Sequence, residues 1–169
     1  MSHKDFLLLG LALICSGLGL MLWREIRRRA AFPGDRRILF PFDEHTLSMD
    51  ALRATLRIAH AERATLVPEY LAVVPLRVSL DAPLPRHADR AVPLLDAIER
   101  CATEAGVPVD ARIEPGRSYR HALSRALGRE RLDRVVIAAE GPAGHGFRSD
   151  DIAWMLDHSG TELMVLRAA

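Results

Sequence analysis

The chain has 169 residues, a formal net charge of +1 and an aromatic content of 5%. That balance excludes the large basic surplus of a nucleic-acid binder, because the positive charges are nearly matched by acidic ones and their densest cluster is one short collar near the amino terminus. The two cysteines, Cys15 in an apolar run and Cys101 in a helical pattern, do not suit a disulfide and agree with a reducing compartment.

The first element is Phe6 to Trp23, about 18 residues without a charge, with Leu13 and Leu20 along it. As a helix it spans about 27 Å, close to the hydrocarbon thickness of a bilayer. It is apolar all round, unlike the amphipathic helix of a soluble core, and Trp23 stands where aromatics favour the membrane interface. Arg24, Arg27, Arg28 and Arg29 follow at once. Residues 1–29 are therefore expected to be a single transmembrane anchor with a basic collar. The positive-inside rule puts the amino terminus outside the inner (plasma) membrane and the rest of the chain in the cytoplasm. A cleaved signal peptide is the rival reading. It fits less well, since there is no small-x-small cleavage site and the arginines beyond the run oppose export. Ala12 and Ser16 form a small-xxx-small pair that could face another helix.

Residues 30–35, with Pro33 and Gly34, read as a linker, and 36–169 as one domain. RILFPF (37–42) is a buried-strand pattern closed by the polar Asp43-Glu44-His45. Ser48 can cap a helix carrying Met49, Leu52, Leu56 and Ala59. LVPEYLAVV (66–74) is the next strand, with Pro68 predicting an edge or a bulge. A proline-bearing connection (75–85) leads to a helix with Ala91, Leu94, Leu95, Ile98, Ala102 and Ala105. Pro93 is expected to start or kink it and Gly106 to end it. Val107 to Ile113 is the third strand and Pro115-Gly116 a turn. Ser118 caps a helix with Ala122, Leu123, Ala126 and Leu127. RVVIAA (134–139) is the clearest strand. A glycine-bearing loop (141–149), a short helix (150–158) and a last strand (163–166) complete the chain. Strand–helix alternation with apolar strands predicts an α/β, Rossmann-like open parallel sheet of five strands covered by helices on both faces. Ligands of such folds sit beyond the carboxyl ends of the strands, here 43–45 and 141–146.

The strand RILFPFD, the helix after it and the strand ending in VVP resemble the opening of a universal stress protein domain. GVPVDARIEPGRSYRHAL is similar to that family's third strand and its turn into the next helix. DRVVIAAEGPAG is similar to its fourth strand and the start of its nucleotide loop. The likeness covers about residues 36–167. It implies an adenine-nucleotide fold in which Asp43 follows the first strand and Gly141, Gly144 and Gly146 lie in a phosphate loop written G-x2-G-x9-G-S/T. Gly141 and Gly144 match the first half. Nine residues on come Trp154 and Met155 in place of the Gly-Ser pair, and in a shortened alignment Asp150 and Asp151 take that place. Phosphate binds a helix amino terminus through free N–H groups and the dipole. Carboxylates at Asp150 and Asp151, with Glu140 nearby, cap that terminus themselves and repel ATP.

Other polar groups carry less. Asp43, Glu44 and His45 form a polar turn as readily as an acid–base cluster. The seven histidines show no metal-ligand spacing. Ser118 and Ser149 read as caps. Trp154 and Met155 could form a contact patch or pack on the sheet. Leu163 and Val165 lie in the last strand, through which members of the resembling family pair, so a homodimer edge is implied there. No catalytic residue and no cofactor is expected, with ATP or another adenine nucleotide as the alternative. The expected function is a non-catalytic, membrane-anchored accessory or tethering subunit whose partner is a larger membrane protein complex. The alternative is an adenine-nucleotide sensor at the membrane.

Overall fold

A computed structural model of the chain describes residues 36–142 and 144–167. The expected anchor, from Phe6 through Arg29, and the linker after it lie outside the described residues. Among the described residues no helix is long and apolar enough to cross a membrane.

Five strands and four helices alternate: β1 (Arg37–Phe42), α1 (Met49–Glu62), β2 (Thr65–Val73), α2 (Pro85–Glu104), β3 (Arg112–Gly116), α3 (Tyr119–Arg129), β4 (Arg134–Ala139), α4 (Ser149–His158) and β5 (Glu162–Arg167). All strand pairs are parallel, in the order β3-β2-β1-β4-β5. The chain winds outward from β1 to β3, then crosses back to β4. The switch point therefore lies between β1 and β4. One sheet face buries Ile38, Phe40, Leu66 and Tyr70 against Leu52, Leu56, Ile98 and Ala102 of α1 and α2. The other buries Leu39, Val67, Val135 and Ile137 with Leu123 and Ala126 of α3 and Met155 of α4. Each fully buried aliphatic side chain contributes about 1.5–3 kcal/mol relative to exposure.

The helices begin largely where the sequence provides a cap. Ser48 Oγ accepts from Ala51 N at 3.3 Å, and Ser118 Oγ from His121 N at 3.2 Å. α2 departs from expectation. It starts at Pro85 and carries Pro93 in its interior. Pro93 is exposed, so the carbonyl it leaves unpaired can turn to water. Pro68 lies in an interior strand rather than an edge. By strand alternation its backbone faces β3, between the Leu66–Val109 bridge and the ladder that resumes at Glu69–Arg112, where no bond to its missing N–H is needed. β3 runs over Arg112–Gly116, later than the apolar pattern suggested, and takes in the expected Pro115-Gly116 turn. A Cβ on Gly116 would stand 2.3 Å from Ala122 N, so α3 can close on the strand end only because this residue is glycine.

The β1–β4 ladder is short. All six β1 residues pair with β2, but only Ile38 and Leu39 pair with β4. Arg37 O accepts from Asp133 N, so residues 37, 39 and 41 direct their backbone toward β4. Residue 41 is proline and has no N–H to give. The ladder ends there, and the loops that follow the two strands meet in the gap.

Candidate functional site

The turn after β1 is built around Asp43, which is 2% exposed. Its Oδ1 accepts from His45 N (3.0 Å), Thr46 N (2.7 Å) and Thr46 Oγ1 (2.7 Å), and Asp43 N donates to Thr46 Oγ1 at 2.8 Å. This is a local side-chain-to-backbone turn of the kind Asp and Thr favour at this spacing. Burial works to push the Asp43 carboxyl up. The Tyr119 hydroxyl, the Thr46 hydroxyl and the two backbone N–H groups outweigh it and hold Asp43 below its ordinary range. Glu44 is held low in the same manner, against burial, chiefly by the Tyr70 hydroxyl. Its Oε1 is shut from solvent without a hydrogen-bond donor, with Arg90 Nη1 3.5 Å away. Both phenols are driven well above the usual tyrosine range, first by burial and then by the carboxylates they face.

The loop after β4 returns to this turn. Phe147 N donates to Ala138 O at 2.7 Å and Glu140 N to Phe147 O at 2.9 Å. Gly141 N donates to His145 O (3.0 Å), Gly144 N to Gly141 O (3.0 Å) and Gly146 N to His45 O (3.2 Å). His145 Nδ1 also stands 3.2 Å from His45 O. Gly146 has φ +119°, and a Cβ there would lie 2.6 Å from the Ala139 carbonyl, so the position tolerates only glycine. The sequence-predicted residues Asp43, Gly141, Gly144 and Gly146 are thus brought to one place, and the amide groups of all three glycines are engaged within the protein.

The helix beyond the loop differs from expectation at its start. Arg148 is the cap residue, with no side-chain cap bond, and Ser149 is the first helical residue rather than a cap. Asp150 and Asp151 lie in the first turn. Asp151 does not cap the helix. Its Oδ1 accepts from Arg120 Nε at 3.0 Å, and Arg120 Nη2 donates to Asp150 O at 3.2 Å. The Arg120 guanidinium lies 6.0 Å from the centre of the Trp154 ring, and the His158 ring stacks on Trp154 at 4.6 Å. Met155, a candidate contact residue, is 1% exposed and packs in the core with α3. Trp154 and Leu163 are half-buried against the same cluster, and Val165 is 40% exposed on the edge strand. Trp154 and Met155 therefore support the sheet, leaving Val165 as the exposed member of the expected interface.

Sequence reasoning missed Thr46, Tyr70, Tyr119 and Arg120. The Asp-x-x-Thr spacing could have found Thr46. The other three come from β2 and α3, and only the winding of the chain brings them to the cleft. Among the described residues no group of three His, Cys, Asp or Glu side chains could hold a metal ion. An open groove of about 590 Å³ lies elsewhere, between α1 and α2, lined by residues including Arg57, His60, Cys101 and Ala105.

No protein-family model and no curated protein sequence matches the chain. Solved structures do. A universal stress protein family member from Burkholderia pseudomallei is 20% identical, with a TM-score of 0.58 over 79% of this chain and 96% of that one. A universal stress protein in complex with cAMP is 16% identical, with a TM-score of 0.60 over 79% and 98%. A universal stress protein family protein from Arabidopsis thaliana with AMP bound is 15% identical, with a TM-score of 0.54 over 79% and 92%. The fold of residues 36–167 is that of the universal stress proteins.

Proposed function

We propose that this domain is a non-catalytic interaction module of universal-stress-protein fold. Its amino-terminal segment holds it at the cytoplasmic face of a membrane, where it serves as an accessory or tethering subunit of a larger membrane protein complex. The observation that carries this reading is the state of the cleft. Asp43 Oδ1 accepts three bonds from its own turn, and the amides of Gly141, Gly144 and Gly146 donate to carbonyls of the loop and of the turn after β1. A site whose donors and acceptors are spent internally offers a ligand little, since each bond gained there breaks one already made. The apolar run of residues 6–23 and the arginines after it support the membrane location.

The test is gentle extraction of the full-length protein from its own membranes in mild detergent. The intact particle is weighed, and its protein and small-molecule contents are identified. The expected result is a stoichiometric membrane partner and no nucleotide. A particle containing this chain alone would end the reading.

An adenine-nucleotide sensor is the second reading. Two structures of the same fold are described with cAMP and with AMP, and Asp43 and the glycine loop stand at the switch point where such ligands lie in α/β sheets. Calorimetry with ATP, ADP and AMP separates the two. Heat at micromolar nucleotide, lost in Gly144→Asp, would favour the sensor.

A further inference from the structure

We infer that the groove between α1 and α2 is the docking site for one amphipathic helix of a partner protein, acidic along the edge that meets α1 and basic along the edge that meets α2. The inference rests on the accessory-subunit reading above and names the chemistry of the partner. α2 brings Cys101 and Ala105 to the furrow, one helical turn apart, and both are small, so the space between the helices stays open at about 590 Å³. Leu56 of α1 is buried beneath it, and Cys101 and Ala105 pack on the same core cluster, so the apolar floor is continuous with the core. On α1 the groove extends from Arg53 to His60, about 10 Å of helix, the length over which a helix presents side chains at i, i+3 or i+4, and i+7. The walls offer little to an extended peptide. Helix backbone is bonded along its own axis, and near the two helix ends the carbonyls of Ala59, His60, Ala102 and Thr103 accept from Ala64, Arg63, Val107 and Gly106 N–H groups. A docking helix arrives with its own backbone satisfied. The lips carry opposite signs. Arg53 and Arg57 stand exposed on the α1 side and Glu104 on the α2 side. Arg53 has a partner in Asp50 at 3.1 Å, whereas among the described residues neither Arg57 nor Glu104 is in an ion pair. A lipid head of one sign would satisfy only one lip. A helix edged with acid on one side and base on the other satisfies both, and charges so placed fix its direction.

Cys101 lines the groove and reports on its occupant. In a Cys15→Ala background it is the only thiol of the chain. Its rate of alkylation by a small water-soluble maleimide is measured in native membranes, and again in the purified full-length chain in nanodiscs of phosphatidylethanolamine and phosphatidylglycerol. Alkylation should be about tenfold slower in native membranes than in the nanodiscs. Arg57→Glu should raise the rate in native membranes to that of the isolated chain, and Arg57→Lys should keep most of the protection. Equal rates in the two settings, with a partner present in the extracted particle, would overturn the inference. So would protection in the nanodiscs, where lipid or the chain itself is then the occupant, or protection in native membranes that Arg57→Glu leaves intact. Arg57→Gln repeats the test should the glutamate variant fold poorly. The accessory-subunit reading fails when the extracted particle contains this chain alone. The groove inference fails by itself when a partner is present and Cys101 stays reactive, so the two failures are distinguishable.

Discussion

Arg129 ties Glu69 to Glu114. Its Nη1 lies 3.2 Å from Glu69 Oε1 and its Nη2 on Glu114 Oε2, with Arg125 Nε 2.6 Å from the other Glu114 oxygen. The two carboxylates are diagonal neighbours across the β2–β3 pair, 1% and 0% exposed, and the cations come from α3 above them. Buried carboxylates are costly unless paired, and removing one partner of such a set is worse than never having it.

Arg129→Met should therefore cost about 3 kcal/mol or more in denaturant unfolding, because two buried charges lose a partner at once. Glu69→Gln should cost little, or raise the melting temperature slightly. Burial pushes the Glu69 carboxyl up despite Arg129 and Arg112, so ionised Glu69 is a burden at neutral pH. Loss of more than about 2 kcal/mol in Glu69→Gln would contradict this account.

Acid stability follows with opposite signs. Asp43, Asp110 and Glu62 are held below their ordinary values, so their contribution is present above those values and is lost as pH falls through the lower folded ones. Glu69 is raised, so its contribution is complete below its ordinary value of 4.5 and is lost as pH rises through the folded one. The protein should weaken on acidification, and Glu69→Gln should weaken more steeply because the opposing group is gone. Melting temperature against pH for both proteins checks the difference in slope.

Asp43→Ala should destabilise by about 1–2 kcal/mol, since it strands the His45 and Thr46 N–H groups and the Thr46 hydroxyl in a partly buried turn. Asp43→Asn keeps an acceptor and should cost about half as much. Equal stability of Asp43→Ala and the parent would mean that the turn does not depend on this carboxylate.

The two loop glycines should separate cleanly. Gly146→Ala meets the Ala139 carbonyl and a φ of +119°, and should cost about 3 kcal/mol. Gly144→Ala meets open space at φ +75° and should cost about 1–2 kcal/mol. Unfolding curves of the two variants test the order.

Of the two sheet edges, β3 is interrupted by Pro115, whereas β5 carries no proline. Antiparallel pairing of two β5 strands about a two-fold axis can set Val165 against Val165 of the partner subunit, with Leu163 against the partner's Arg167. Val165→Lys should then convert a dimer to a monomer in sedimentation without loss of fold. A monomeric parent would exclude this edge.

The parts of the fold written in local chemistry were legible. β1 and β4 are apolar runs bounded by polar residues, and α1 and α3 open on serine caps. β3 was misplaced because three of its five residues are Arg112, Glu114 and Pro115, and the arginines that make Glu114 tolerable arrive from α3 eleven and fifteen residues later. Pro93 read as a breaker because its exposure, which makes it cheap, is a tertiary fact. At the cleft, Asp43 and the glycines carry a recognisable spacing. Tyr119 and Arg120 are ordinary helix residues until the crossover places them against Asp43 and Asp151.

The proline near the end of β1 also divides the sheet in time. Residues 37–116 supply three neighbouring strands and two helices before β4 is synthesised. The later half joins them by a backbone tie of two residue pairs. A nascent chain on the ribosome can therefore assemble the first half as a unit, and β4, α4 and β5 close on it only after the remainder has emerged. In the finished protein the same narrow tie is where the sheet is easiest to part, so slow amide exchange should fail first along β4 and last along β1 and β2.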